Sequence, residues 1–431
     1  MKGFYTLITV LFFGLGSTAF AQKNAGEFSG NIATDWLELQ VDIIPTTEGF
    51  TPPVSARALG YSGLTLYEAV VNGSSEYESL KGKLNDFDKL PEPDENLVYN
   101  WAIVANTAMA EITTYLFSNT NEVNKLRIKE LTDKNYHLYG FRSDEKTLKN
   151  SMNFGKSIAK AIYNYSKNDG GHEAQFNNFP ASFKIQPGAC MWVPVGDQKA
   201  LLPYWGNNRT FISGAADFHL PPPNSCGIGN TSILYVQALE VYSIGKNLTA
   251  EQKAIARFWS DDPGITFTPP GHGVSIANQL IKKEGLNLMK AAETYCRVGI
   301  AASDAFVSCW KCKYKFSMLR PVTFINTAID TKWSAYLPNP PFPEYTSGHA
   351  TVSGAIAIVL SDTFGYNYAF TDHSHANKQY EPRSFDNFWE YANEAAMSRL
   401  YGGIHYRGSN DNGLINGKRI GQAACKLKLK I

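Results

Sequence analysis

The chain has 431 residues, of which 44% are hydrophobic, 13% aromatic and 18% charged, a composition typical of a globular protein with ample material for a core. With 40 basic and 39 acidic side chains, its formal net charge is +1, which excludes a global electrostatic field that would attract nucleic acid or an anionic membrane. We therefore expect no nucleic-acid partner, and local clusters of charge carry more information than the total.

The N-terminus has the pattern of a cleavable secretory signal. Lys2 precedes an apolar run over residues 4–15, and Ala19-Phe20-Ala21 forms a small-residue cleavage site. The run is too short for a membrane span, and no later stretch of about eighteen uncharged apolar residues follows. We expect residues 1–21 to be a signal peptide, and the mature protein to be secreted or periplasmic with no integral membrane segment.

Most of the remaining chain carries apolar residues at three- and four-residue intervals, which predicts amphipathic helices. The predicted helices cover residues 54–72, 97–118, 143–167, 232–245, 249–260, 273–293, 295–310, 349–364, 385–400 and 412–425. Thr249 and Gln252 have the spacing of a capping box at one helix start. Strand-like alternation is sparse, and the segments 178–231 and 322–345, rich in proline, glycine and aromatics, are predicted to be long ordered loops. The expected fold class is all-α, with helical bundles packed side by side.

Six cysteines follow the predicted signal peptide, at positions 190, 226, 296, 309, 312 and 425. An oxidising compartment permits disulfides, but six cysteines allow about fifteen pairings and the sequence does not choose among them. Cys309 and Cys312 have thioredoxin-like spacing without a surrounding βαβ pattern. A local disulfide or two buried thiols are therefore favoured there over redox chemistry.

Three short segments near the C-terminus concentrate cationic and imidazole side chains. In chain order they contain Lys313 with Arg320, then Ser347, Gly348 and His349, then Arg399 with His405. A tetrahedral oxyanion such as phosphate or vanadate carries two or three negative charges, and the planar fork of arginine matches two of its oxygens at once. The serine hydroxyl and the glycine N–H add neutral donors. The two histidines add a nucleophile or metal ligand and a general acid/base. The segments therefore predict an oxyanion site.

The same segments fall at predicted helix ends. Pro321 is expected to end the helix that carries Lys313, because proline disfavours helical geometry in the residue before it. Ser347 and Gly348 precede the helix predicted to start near His349, so that free N–H groups and the positive end of the helix dipole point at the anion.

Together the segments read K-x6-RP, SGH and SR-x5-H, which resembles the active-site signature shared by vanadium-dependent haloperoxidases and type 2 phosphatidic acid phosphatases. The resemblance implies that His405 bonds vanadium and that His349 is the acid/base for the peroxide proton. It also implies that vanadate oxygens are held by the remaining motif residues, Lys313, Arg320, Ser347, Gly348 and Arg399. Lys313 would in addition polarise bound peroxide. Trp310 and Phe342 fall where haloperoxidases have pocket-wall residues, and in the phosphatase relatives the position of His405 attacks phosphorus.

Two positions depart from the family pattern. Thr346 stands where a proline usually precedes the Ser-Gly-His block, and Ser409 stands where an aspartate commonly follows the second histidine by four residues. That aspartate would orient the histidine and raise its basicity. Ser409 and Asp411 are the candidates to replace it, and the sequence does not decide between them.

Looser similarity to bacterial secreted haloperoxidase-type proteins extends over most of the mature chain, including Phe258-Trp259 and Pro269 to His272. The long stretch before Lys313 favours the haloperoxidase branch over the shorter acid phosphatases. The resemblance implies vanadate as cofactor, with phosphate able to occupy its site, and hydrogen peroxide, a halide and a small organic acceptor as partners. An acid phosphatase with His405 as nucleophile and a non-catalytic oxyanion-binding protein are the alternatives.

We expect an N-terminal helical region over residues 22–230 and a C-terminal catalytic helical bundle, with the active site, over 231–431. His272 is expected to be a structural histidine that caps a helix. His373 and His375 lie in a polar segment without an evident third metal ligand, which favours a solvated loop.

Overall fold

The computed structural model describes residues 23–217, 220–223, 226–227, 229–378 and 380–431, so the predicted signal peptide lies outside the described residues. Within this part the chain forms thirteen α-helices and one two-stranded sheet, which confirms the all-α prediction. None of the described helices combines the length and the apolar character that a membrane crossing requires.

Five helices come from the N-terminal half of the chain: α1 Asn31–Ile43, α2 Pro52–Val70, α3 Trp101–Leu116, α4 Glu122–Gly140 and α5 Glu145–Ser166. Five more follow: α6 Ile233–Lys246, α7 Ala250–Phe258, α8 Thr268–Lys283, α9 Leu288–Phe316 and α10 Pro321–Ala328. The last three are α11 Gly348–Phe364, α12 Phe388–Tyr401 and α13 Arg407–Cys425. Strand β1 Phe370–Asp372 pairs antiparallel with β2 Arg383–Phe385, with Phe370 opposite Phe385.

Polar side chains set several helix starts. The predicted capping box is confirmed: Thr249 Oγ1 accepts from the Gln252 N–H at 3.1 Å, and Gln252 Oε1 accepts from the Thr249 N–H at 3.0 Å. Asn287 caps α9 and Ser347 caps α11 in the same way, each by accepting an N–H three residues later. Such caps satisfy N–H groups that have no acceptor within the helix. Local side chains therefore mark where α9 and α11 begin.

Some helix predictions were wrong. Helices α1 and α4 were missed, and all of α10 after Pro321 lies in the segment 322–345 that was predicted to be a loop. The break predicted between 293 and 295 occurs instead at residues 284–287, where Gly285 has a φ of +60°. Helix α9 is buried along most of its length, so the apolar and polar alternation that marks a helix boundary is weak there.

The lysine-bearing helix also ends differently than predicted. Helix α9 stops at Phe316, and Ser317 takes a left-handed conformation with φ of +44°. Arg320 is the residue before α10, and Pro321 opens that helix, where a missing N–H costs nothing. The Arg320-Pro321 pair thus begins a helix rather than ending one.

Helix α9 lies at the centre and packs against α2, α8, α11 and α13, so one hydrophobic core runs from the N-terminal to the C-terminal part of the chain. The crossing of α11 with α13 is close enough that a β-carbon on Gly417 would lie 2.2 Å from the Thr351 carbonyl oxygen. Glycine permits this approach, which holds the helix beginning at Gly348 against the helix that follows His405. The division near residue 230 stays a prediction.

One disulfide joins Cys190 to Cys226. Residues 190–192 pair with the turn after α9, because the Trp192 N–H donates to the Ser317 carbonyl at 2.6 Å and the Leu319 N–H donates to the Cys190 carbonyl at 3.0 Å. Cys309 and Cys312 are separate buried thiols, in agreement with one of the two favoured alternatives.

Candidate active site

A cavity of about 360 Å³ brings together residues from distant segments of the chain. The predicted site residues in its wall are Trp310, Phe342, Gly348, His349, Arg399 and His405. The rings of Trp310 and Phe342 lie 4.9 Å apart and form part of an apolar wall. Lys313, Arg320 and Ser347 are fully buried and are not part of this wall. The predicted set thus divides into groups that face the cavity and groups that stand behind it.

The N-terminus of α11 faces the cavity. Ser347 caps the helix, with its Oγ accepting the Ala350 N–H at 3.4 Å, and Gly348 is the first helical residue. A β-carbon on Gly348 would meet only the rings of Trp310 and Phe306, at 3.8 and 3.9 Å. The first N–H groups of this 17-residue helix and its dipole therefore favour an anion at this end.

Lys313 is surrounded by backbone carbonyls. Its ammonium group donates to the carbonyl oxygens of Pro343 and Glu344, both at 3.0 Å, and of Thr346 at 2.5 Å. Burial lowers the pKa of Lys313 to about 8, with Arg320 acting in the same direction and Glu344 opposing. Because an ammonium group has three donors, all of them are used here to hold the segment 343–346.

Arg320 makes a similar set of contacts. Its Nε donates to the Phe342 carbonyl at 3.0 Å, and its Nη1 donates to the Ile404 carbonyl at 2.8 Å and lies 3.2 Å from His405 Nε2. Burial lowers the pKa of Arg320 to about 10, and Glu344 opposes that shift. The guanidinium therefore joins the segment before α11 to the segment before α13.

His405 is held from both ring nitrogens. Its Nδ1 lies 2.8 Å from Glu344 Oε1, and its Nε2 faces Arg320. Burial, followed by the charges of Arg320 and Lys313, lowers the pKa of His405 well below its ordinary value. A neutral ring that donates from Nδ1 to a carboxylate keeps its lone pair on Nε2, the form required of a metal ligand or nucleophile.

His349 and Arg399 carry polar atoms without partners among the described residues. The unpaired atoms are His349 Nε2 and Arg399 Nε, and both are buried. Arg399 Nη1 donates to the Trp259 carbonyl at 2.9 Å. Burial lowers the pKa of His349 well below its ordinary value, with Arg399 acting in the same direction, and lowers the pKa of Arg399 to about 10. Buried polar atoms without hydrogen bonds are rare in folded proteins, so these two are suited to a ligand.

Sequence reasoning missed Glu344. This fully buried carboxylate accepts from His405, from the Tyr406 N–H at 3.0 Å and from the Ser409 hydroxyl at 2.5 Å. Ser409 thus contacts the histidine's partner rather than the histidine. Asp411, the other candidate to replace the usual aspartate, is exposed on α13. The sequence did hold a clue to Glu344, which lies three residues before Ser347. A residue so close to the Ser-Gly-His block is carried to the site with it.

A second buried cluster lies against the site. His272 Nδ1 is 2.9 Å from Asp261 Oδ2, its Nε2 is 2.8 Å from Asp372 Oδ2, and Asp261 also lines the cavity. Burial opposes protonation of His272, but the two carboxylates outweigh it and raise the pKa to about 10. His272 is the fifth residue of α8, so the predicted capping role is wrong, although a structural role in charge pairing fits the contacts.

His375 also belongs to this cluster. It is only 1% exposed, and its Nε2 faces Asp261 Oδ1 at 3.4 Å. One ligand atom each from Asp261, His272 and His375 lie within 4.8 Å of one another, a spacing that could hold a metal ion. The expected solvated loop is therefore wrong for His375, and His373 alone is exposed.

Comparisons with known proteins show what the chain resembles in sequence and in fold. The family described as the VCPO second helical-bundle domain matches residues 293–431. A vanadium chloroperoxidase from Curvularia inaequalis is 22% identical over 83% of this chain and 74% of its own length. Among solved structures, the crystal structure of a bacterial vanadium-dependent iodoperoxidase superposes with a TM-score of 0.84. It is 31% identical, over 94% of this chain and 97% of its own.

A bacterial vanadium-dependent chloroperoxidase in its holo form superposes with a TM-score of 0.67 at 17% identity, over 89% of this chain and 93% of its own, and supports the fold alone. The iodoperoxidase match is long and close enough to establish kinship, and its fold is the one observed. The chain belongs to the vanadium-dependent haloperoxidase family.

Proposed function

We propose that this protein is a vanadate-dependent haloperoxidase that oxidises a halide with hydrogen peroxide and passes the oxidised halogen to a small organic acceptor. The observation that carries the proposal is the pair of unpartnered buried atoms, His349 Nε2 and Arg399 Nε, beside a helix N-terminus. A tetrahedral oxyanion matches the positive charge and the free N–H of Arg399, and one of its protonated oxygens can donate to His349 Nε2. The Nε2 of His405 completes the set, because a neutral imidazole is a common ligand of transition metals.

Bound vanadate would supply a Lewis-acidic centre for the activation of peroxide. Around it, Arg399, Ser347 and the Gly348 N–H would hold oxygens, and His405 would bind through Nε2. Arg320 can reach the same region, because its Nη1 already touches His405. His349 would take up or release a proton at its unpaired Nε2.

We propose that Lys313 acts mainly behind the oxyanion, whereas the family resemblance implies a direct contact. Its three donors are committed to the carbonyls of residues 343, 344 and 346, so its main contribution is positive charge and the placement of that segment. A direct bond to an oxyanion requires it to exchange one of these carbonyls.

The rest of the cavity suits small reactants. Apolar side chains of Leu201, Phe306, Trp310 and Phe342 line it together with several prolines. This wall limits water around the anion and thereby strengthens each charged contact. Peroxide and halide are small enough to enter a cavity of about 360 Å³. With the N-terminal signal proposed at residues 1–21, the reaction would take place outside the cytoplasm, as expected for a secreted or periplasmic enzyme.

The decisive experiment uses protein freed of vanadate and phosphate, assayed before and after addition of orthovanadate. Halide oxidation with peroxide and hydrolysis of a phosphate monoester are measured in parallel, with His405→Ala as the control for both. A haloperoxidase gains halide oxidation on vanadate addition. An acid phosphatase hydrolyses the ester without vanadate and is inhibited by it, and a non-catalytic binding protein binds phosphate with neither activity. Either of the last two outcomes overturns the proposal.

A further inference from the structure

His405 and Glu344 form a buried pair that joins two segments 61 positions apart. Glu344 Oε1 accepts from Nδ1 of the ring, and the same oxygen accepts from the N–H of Tyr406, the next residue along the chain. One carboxylate oxygen thus restrains both the side chain and the backbone of the histidine segment. This double contact fixes the ring orientation and places the remaining lone pair on Nε2, the nitrogen that faces Arg320.

The second carboxylate oxygen of Glu344 accepts from the Ser409 hydroxyl at 2.5 Å. Ser409 lies four residues after His405, where the family pattern commonly has an aspartate. The chain therefore has a carboxylate beside the histidine, but supplies it from the segment before α11. Ser409 fills the usual aspartate position with a donor that holds this carboxylate in place.

The backbone of Glu344 is fixed as well. Its carbonyl accepts from the Lys313 ammonium at 3.0 Å, and its N–H donates to the Met318 carbonyl at 2.9 Å. The glutamate is fully buried, so its charge is balanced by nearby cations rather than by water. Glu344 is consequently a rigid link between the end of α9 and the histidine before α13.

From these contacts we propose that Glu344 is the positioning residue for His405 and replaces the aspartate missing at position 409. The proposal rests on the proposed function for the meaning of Nε2 as the vanadate ligand. The pairing of Glu344 with His405 Nδ1 can be measured whether or not the protein has the proposed function. It explains how this chain keeps an oriented, electron-rich imidazole without the H-x3-D pattern.

The test is a set of variants: Glu344→Gln, Glu344→Ala, Ser409→Asp, and Ser409→Asp combined with Glu344→Ala. The first readout is the ¹⁵N chemical shifts of the His405 ring, which report the tautomer in protein without vanadate. The second is the affinity for vanadate and for inorganic phosphate, measured by calorimetry without peroxide or halide. Circular dichroism and thermal unfolding check that each variant is folded.

Loss of a partner that orients a metal-bound histidine typically lowers metal affinity about 10–100-fold. We expect a loss of that size for vanadate in Glu344→Ala, together with a mixed His405 tautomer. Phosphate, which forms no bond to the ring, should lose much less. Glu344→Gln keeps an acceptor of the same size without the charge, so it should keep the tautomer and still lose vanadate affinity.

The rescue is the sharpest comparison. An aspartate at 409 beside Glu344 places two buried carboxylates together and should destabilise the single variant Ser409→Asp. In the Glu344→Ala background the same change should restore the Nδ1–H tautomer and at least about tenfold of the vanadate affinity, the lower limit of the expected loss. A general loss of packing cannot explain why Ser409→Asp destabilises the protein that has Glu344 but restores vanadate affinity in the protein that lacks it.

The proposal is overturned if both Glu344 variants bind vanadate within about twofold of the wild-type affinity, since the expected loss is at least about tenfold. It is also overturned if the His405 tautomer is unchanged in a folded Glu344→Ala protein. If that variant does not fold, the vanadate and phosphate affinities of Glu344→Gln decide. Failure of the proposed function looks different: the wild type would lack halide oxidation or vanadate binding, while the tautomer still responds to Glu344.

Discussion

Arg320 Nη1 lies 3.2 Å from His405 Nε2, so a cation contacts the ring nitrogen that we propose as the vanadate ligand. The same Nη1 also donates to the Ile404 carbonyl at 2.8 Å. Arg320 can therefore release the imidazole to an anion and keep a hydrogen bond of its own. An anion would thus replace the His405 ring nitrogen as the acceptor for Arg320. Anion binding should therefore change the site even without turnover.

Phosphate or vanadate should raise the melting temperature. The buried cations repel one another and His349 and Arg399 carry unpaired atoms, so a bound oxyanion stabilises the folded state by mass action, by about 2.7 kcal/mol at a hundred times its Kd. Differential scanning fluorimetry over a phosphate titration measures this. Arg399→Ala should lose most of the shift. Lys311→Ala should keep it, because Lys311 is an exposed residue of α9 paired with Asp217. An absent shift in the wild type would contradict a preassembled oxyanion site.

The two motif histidines should respond differently to removal. His405→Ala should abolish halide oxidation and weaken vanadate retention, because only charge and hydrogen bonds remain. His349→Ala should keep much of the vanadate affinity while turnover falls by about 10²–10⁴-fold, the usual effect of losing a general acid/base. Equilibrium dialysis and steady-state assays measure the two effects, with exposed His373→Ala as control. Equal loss of vanadate affinity in both variants would be inconsistent with these roles.

His272 should make stability depend on alkaline pH. Asp261 and Asp372 raise its folded pKa to about 10 against the desolvation of the buried ring, from an ordinary value of 6.5. A group whose pKa is raised by folding adds its full contribution to the free energy of unfolding when the pH is below its unfolded pKa. That contribution is lost as the pH rises through the folded pKa. The stability gap between wild type and His272→Gln should therefore be widest near pH 6 and narrow by pH 10.

Urea unfolding at several pH values measures this gap. The slope per pH unit should approach, but not exceed, about 1.4 kcal/mol for a single proton. His137→Gln, the same change at an exposed histidine of α4, serves as the control for the substitution itself. A gap that widens toward pH 10 would mean that His272 is not held as a cation.

Gly417→Ala should destabilise the fold by about 1–3 kcal/mol or more, because the added methyl group would meet the Thr351 carbonyl at 2.2 Å. Helix α13 would have to move away from α11, so anion affinity should fall together with stability. Urea unfolding and phosphate titration measure the two effects. Gly229→Ala is the matched control, since a β-carbon there meets no atom within 4 Å. An unchanged unfolding midpoint would show that the crossing adjusts without cost.

Sequence alone predicted the fold class, and six of the residues that it singled out lie in the cavity wall. The all-α class followed from repeated apolar spacing, and the cap at Thr249 from contacts three residues apart. Helix boundaries were less accessible: α9 is buried almost throughout and lacks a polar face to mark its start. The motif residues were identified because their types and order resemble a known signature, whereas the roles assigned to them remain predictions.

Only the tertiary structure decided which partner each of these groups has. The pairing of Glu344 with His405, the three carbonyls around Lys313 and the burial of His375 against Asp261 all join segments far apart in the chain. No local spacing encodes such contacts, because they arise when α9, α11 and α13 pack into one core and exclude water from the polar groups between them. Residue types in the sequence thus determined which chemistry is available, and long-range packing determined which atoms are paired and which are left for a ligand.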